Sequence, residues 1–335
     1  MPALSHRGAD MRRRECIALL GGLAAVSPLA ALAQQLPRTA RIGLLGATGP
    51  PDVESGLVQF RSGLRDLGYV EGKNIFIDFR WAHDNYARLE GLAAELVRLN
   101  VDVLVTYGTP GTLAAKQATK TVPIVMLVSG DAVGTGIVES LPRPGGNVTG
   151  SSFLDPELNA KLLDLLREAD HFTRRVGVLI NPDNPVTPSN LRTMERTAES
   201  LGFELQQLRV RKADQLDDLI SLSARGLDAI AVVSDSVFVA NTARIAKIAA
   251  NNHLPSIGFV EVAKAGGLIG YGVDLPALWY RGAFFVDKVL RGTKPASIPV
   301  EQPTKFELVI NLKTATALGI KVPPTLVARA DEVIE

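Results

Sequence analysis

Gly43, Gly46 and Gly49 in the stretch IGLLGATGP stand in a G-x-x-G-x-x-G arrangement. Glycines spaced this way, between a strand and a helix, let a dinucleotide pyrophosphate approach a helix N-terminus, which would make the chain an NAD(P)-dependent reductase. Two features of the sequence oppose that chemistry. Pro50-Pro51 extends the loop where the helix should have begun, and the acidic residue expected about twenty positions on is replaced by Tyr69 to Lys73, with Asp78 late. Hydrolysis has no carrier either. Beyond residue 33 the histidines are His83, His171 and His253, none in H-E-x-x-H or two-histidine spacing, and no G-x-S-x-G elbow occurs. Asp217-Asp218 and Glu332 read as solvated helix faces. Lacking a nucleophile, a metal set or an acid/base pair, the sequence points away from an enzyme and calls for no cofactor.

The N-terminus reads as an address. From Met11 the chain runs MRRRECIALLGGLAAVSPLAALAQQ: three arginines, an apolar run from Ile17 to Val26, then Ala31-Leu32-Ala33. A cationic start, a short apolar centre and an A-x-A site predict a secretory signal removed after Ala33, so residues 1–33 are set aside and a periplasmic location is expected. Arg13-Arg14 also suits a twin-arginine signal, although Cys16 stands where that pattern has Phe. Cys16 is the single cysteine, so the mature chain is expected to have no disulfide and no cysteine metal site. Net charge is +1 and no basic run follows the signal, which argues against a nucleic-acid partner.

What remains alternates short apolar runs with amphipathic stretches. RIGLLG at 41–46 reads as a strand, Val53, Leu57, Phe60, Leu64 and Leu67 mark one helix face, and NIFIDFR, VDVLVTY and PIVMLV read as further strands. After residue 150 the plan restarts: Arg175-Val176-Gly177 answers Arg41-Ile42-Gly43, and Leu201-Gly202-Phe203 answers Leu67-Gly68-Tyr69, with 28 positions between arginine and aromatic in both halves. Asp102 and Asp228 then each lead a strand, as do Pro123 and Pro255. The pattern predicts two similar doubly wound α/β lobes, each with a parallel sheet, and not one large sheet. The expected division is 38–150 plus 273–298 for the first lobe and 151–272 plus 299–335 for the second. LPRPGGNVTG at 141–150, dense in proline and glycine, reads as the defined turn of a first crossing between lobes. Two later crossings would make a multi-strand hinge that closes along one path.

The motifs LGYVEGKNI (67–75), KQATKTVPIV (116–125), SLPRPGGNVTG (140–150), NPDNP (181–185) and INLKTATALGIKVP (310–323) occur in this order along nearly the whole mature chain. Together they resemble the ABC transporter substrate-binding proteins of the type I periplasmic-binding fold, in the family of the tryptophan- and tyrosine-type binding proteins. The resemblance implies capture of a small molecule between two lobes and its delivery, by a monomer, to a membrane permease with its ATPase. A sensory binding protein that transports nothing is the alternative the sequence leaves open.

In open parallel sheets, ligands bind beyond the carboxyl ends of the strands. The corresponding loops supply the candidate site: Thr48 and Asp52 after the first strand, then Tyr107, Gly108 and Thr109, then Ser129 and Asp131. The second half contributes Asn181 and Asn184, Asp235 and Ser236, Phe259 and Glu261, with Tyr271 at the later crossover. These types suit a small zwitterion such as an amino acid. Thr48, Thr109 and Ser129 could hold a carboxylate with helix N-terminal amides, Asp131 or Asp235 an ammonium group, and Tyr107, Phe259 and Tyr271 an apolar side chain. Helix capping is the competing explanation for Thr109, Asp131 and Asp235.

Overall fold

The computed structural model describes residues 39–335 apart from 51–53 and 154; the signal-peptide reading, Cys16 and Asp52 lie outside the described residues. The chain enters on β1 (Ala40–Gly46) and α1 (Glu54–Asp66), then β2 (Ile75–Trp81), α2 (Leu89–Arg98), β3 (Val103–Thr106), α3 (Thr109–Ala118), β4 (Ile124–Gly130) and β5 (Val148–Phe153). These strands form a five-stranded sheet of order β2-β1-β3-β4-β5, parallel throughout. α1 buries Leu57, Phe60 and Leu64, as their spacing predicts, while Leu67 is 36% exposed because the helix ends at Asp66. Burial of each of the three contributes roughly 1.5–3 kcal/mol.

The second half repeats the plan with α4 (Asp155–Ala169), β6 (Arg175–Ile180), α5 (Thr187–Leu201), β7 (Glu204–Arg209), α6 (Leu216–Ser223), β8 (Ala229–Val232), α7 (Ser236–Ala240), α8 (Thr242–Asn251), β9 (Ser256–Gly258), α9 (Val260–Lys264) and β10 (Ile269–Gly272). α10 (Leu275–Leu290) packs back against α1 and β4 of the first lobe. The chain then returns for β11 (Glu307–Asn311), α11 (Leu312–Leu318), α12 (Pro324–Val327) and β12 (Glu332–Ile334). The second sheet has order β12-β11-β10-β9-β8-β6-β7. It is parallel from β7 to β10, as expected of each lobe, and β11 runs antiparallel to β10 towards the far edge. The late strand arrives from the other lobe and enters from the opposite end.

The sequence repeat has a structural counterpart at the level of single hydrogen bonds. Asp102 Oδ2 accepts from the Arg41 amide at 2.8 Å, and Asp228 Oδ2 accepts from the Arg175 amide at 2.8 Å. Gly68 and Gly202, at φ 88° and 70°, reverse the chain after α1 and α5 before the matching aromatics. Only glycine adopts such angles without steric cost.

Sheet membership moves two expected crossings. The proline- and glycine-rich turn at 141–147 precedes β5, which belongs to the first sheet through Phe153, so that turn lies inside the first lobe. There Asn147 Nδ2 donates to the carbonyls of Thr119 and Val122, at 3.2 and 2.8 Å, and ties the turn to the loop before β4. Residues 298–301 also stay with the first lobe. Glu301 N donates to Gly150 O and Ser152 N to Glu301 O, each at 2.9 Å, and Thr149 Oγ1 donates to Ile298 O at 2.9 Å. The three crossings therefore fall at 153–155, 272–275 and 301–307.

The glycine spacing after β1 has a packing explanation. A Cβ on Gly43 would sit 3.0 Å from the Leu104 side chain, and one on Gly46 would sit 2.3 Å from the Trp81 indole and 2.8 Å from the Tyr107 hydroxyl. The absent side chains make room for a helix and two aromatic rings, which accounts for the pattern without a dinucleotide.

Candidate functional site

The carboxyl ends of β1, β3 and β4 from one sheet and of β6, β8 and β9 from the other face a shared cavity of about 220 Å³. Drug-sized ligands occupy roughly 300–1,000 Å³, so this space suits a smaller solute.

Tyr107, just past β3, builds one wall. Its hydroxyl lies 2.8 Å from Thr48 Oγ1 and accepts from the Thr48 amide at 3.2 Å, and its ring packs against Trp279 with centroids 5.0 Å apart. The phenol is thus satisfied by the protein, and the ring contributes apolar surface to the cavity wall.

The next three lining residues form a polar end. Gly108, at φ 73° and ψ 149°, precedes α3, and Thr109 opens that helix, whose first-turn amides have no intrahelical acceptor. Thr109 Oγ1 lies 3.2 Å from Ser129 Oγ and accepts from the Gly130 amide at 3.2 Å. Hydroxyls and helix-start amides in one corner are groups that can donate to an anion without a basic residue.

From the second lobe, Asp235 caps α7, accepting from Val237 N at 3.0 Å. Its other oxygen accepts from Asn184 Nδ2 and from the Tyr86 hydroxyl, both at 2.9 Å. Burial pushes the Asp235 carboxyl up, and the donations from Asn184, Tyr86 and Val237 pull it back. Glu261 differs. Its Oε2 is buried in the cavity wall and has no hydrogen-bond partner, and burial holds its carboxyl above the ordinary value, opposed weakly by its own amide and by Lys264. Among the described lining residues there is no lysine, arginine or histidine.

Nine of the residues singled out from the sequence therefore line one space: Thr48, Tyr107, Gly108, Thr109, Ser129, Asn184, Asp235, Ser236 and Glu261. Four others do not. Asn181 is buried beside the cavity, where its Oδ1 accepts from the Asp183 amide at 3.0 Å and its Nδ2 reaches Asp235 at 3.4 Å. Asp131 is turned into its own loop, with Oδ1 accepting from Gly134 N at 2.8 Å. Phe259 packs into the core of the second lobe, and Tyr271 lies against Phe306; both border a separate space of only about 20 Å³. Of the two acids expected to take an ammonium group, Asp131 is not among the lining residues, and Asp235 lines the cavity while accepting from Val237, Asn184 and Tyr86.

Trp279, Gly56 and Phe153 were not foreseen. Trp279 lies on the buried face of α10, where one tryptophan at helical spacing reads as core. The only available signal was the late crossover, which brings the start of α10 to the strand ends of the first sheet.

The model of the ABC transporter substrate binding protein family matches residues 53–334. The chain belongs to that family. It is 28% identical over 282 residues to the tyrosine-binding protein of Clostridioides difficile strain R20291, covering 84% of this chain and 81% of the relative. Among solved structures, an ABC domain from Streptococcus pneumoniae in complex with L-Trp superposes with a TM-score of 0.80 at 25% identity, over 88% of this chain and 100% of that one. A conserved domain protein from Vibrio cholerae O1 biovar El Tor N16961 gives 0.81 at 29% identity, over 88% and 99%. No helix among the described residues is long and apolar enough to cross a membrane.

Proposed function

We propose that this substrate-binding protein captures a single amino acid with an apolar or aromatic side chain and passes it, as an exported monomer, to an ABC permease and its ATPase. The observation that carries the reading is the combination of Thr109, Ser129 and the start of α3 at one end of the cavity with the Glu261 carboxylate, whose Oε2 has no partner, elsewhere in its wall. The first group suits a carboxylate and the second an ammonium group, while Tyr107, Trp279 and Phe153 suit an apolar side chain. The ligands named for the tyrosine-binding relative and the L-Trp complex support the same class. Removal of residues 1–33 after Ala33 would release the protein into the periplasm, and the three crossings would serve as the hinge between lobes. Thermal shift with each common amino acid tests the reading: L-tyrosine, L-tryptophan or an apolar relative should raise Tm, and no response to any of them would defeat it.

A further inference from the structure

The loop between β2 and α2 reaches across the cleft. Ala82 N donates to Gly46 O and Asp84 N to Ala47 O, each at 2.9 Å, and Arg88 Nη1 donates to Ala82 O at 3.1 Å, so the loop is anchored to the first lobe. Its middle is strained: His83 and Asp84 take φ of 51° and 61°, the left-handed region that side-chain-bearing residues avoid. Immediately afterwards Tyr86 packs between the cores of the two lobes, and its hydroxyl donates to Asp235 Oδ2 of the second lobe. Tyr86 is not among the residues lining the cavity, whereas its acceptor Asp235 is.

We infer that Tyr86 is a closure latch, a positioning residue whose hydrogen bond to Asp235 holds the lobes together over bound solute without touching it. The inference rests on solute capture in this cleft. Parting the lobes breaks the Tyr86–Asp235 bond and leaves both groups to water, so the bond exists only in the closed arrangement. Its acceptor is a buried carboxylate, the class of hydrogen bond that contributes most when made and costs most when lost. Strain in the preceding loop is tolerated where the surrounding structure over-determines it, as the three anchoring bonds do here. Because the bond forms as the lobes close, with or without solute between them, its loss speeds opening, and so departure, and leaves arrival little changed.

Two readouts on Tyr86→Phe test this. In stopped-flow titrations with L-tyrosine and L-tryptophan, the variant should release solute about tenfold faster with little change in association rate, as loss of a hydrogen bond to a charged group predicts. Separately, donor and acceptor dyes on Glu90→Cys and Ala243→Cys, in a Cys16→Ser background, report the closed fraction with and without solute. Y86F should lower that fraction while leaving Tm near that of the wild type. Equal closed fractions in wild type and variant overturn the latch, whatever solute the protein accepts. If the wild type binds no common amino acid, the proposed ligand class fails, and the dye measurement on the solute-free protein still decides the latch.

Discussion

Trp279 and Gly56 face each other from α10 and α1, so closely that a Cβ on Gly56 would lie 2.6 Å from the indole. The same indole packs on Tyr107, so one glycine sets how far the aromatic wall stands back from the solute. Gly56→Ala should push Trp279 into the cavity, weakening binding of L-tryptophan while a small amino acid such as L-alanine is held as before or better. Isothermal titration with both ligands measures the ratio; an unchanged ratio would show that Trp279 does not limit solute size.

Gly108 meets the second lobe directly. A Cβ there would lie 2.6 Å from Ser236 Oγ, and the backbone angles of 73° and 149° suit glycine alone. Gly108→Ala should cost about 1–3 kcal/mol of stability through backbone strain and also obstruct closure. Adding Ser236→Ala removes the obstructing hydroxyl but not the strain, so affinity should recover in part while the urea midpoint does not. Recovery of both, or of neither, would contradict this separation.

Glu261 should make binding sensitive to acid. Burial holds its carboxyl above the ordinary value of 4.5, and an ammonium group beside it would favour the ionised form. Between the two values the complex binds fewer protons than the free protein, so affinity rises with pH and is lost as pH falls through the raised value. Glu261→Gln should flatten that limb and weaken binding at neutral pH roughly ten- to hundredfold. A variant with the wild-type pH profile would place the ammonium group elsewhere.

Away from the cleft, Tyr69 donates to Asp287 Oδ1 at 3.0 Å, and Arg291 Nε donates to the same oxygen at 2.7 Å. Burial first, and the Asp287 bond next, push the Tyr69 phenol from 10.0 up to about 12. Between these values the folded chain keeps a proton that the unfolded chain has released. The contribution to stability is therefore whole below pH 10.0 and declines as pH rises towards about 12. Tyr69→Phe should remove this decline, read as a shallower fall of urea midpoints across the window. An equally steep fall in the variant would trace the loss to other groups.

The sequence by itself determined the architecture, because hydrophobic periodicity and an internal repeat are local properties that each lobe satisfies on its own. Arg41 and Arg175, and likewise Asp102 and Asp228, stand as counterparts in the sequence repeat, and the structure makes the same bond from the arginine amide to the aspartate in both halves. Strand ends could likewise be named in advance, since in a parallel sheet their order dictates which loops share an edge. Tertiary structure alone decided which polar groups at those ends are already satisfied. Asp131, Asp235 and Glu261 look alike as acids after strands, yet one caps its own turn, one is held by Tyr86 and Asn184, and one keeps an unpartnered oxygen. The side chains that hold Asp235 lie 51 and 149 residues away, Tyr86 on the other lobe, and Trp279 arrives only because α10 crosses back. Hydrogen-bond satisfaction and wall shape are set by non-local packing, which has no period along the chain for a sequence to display.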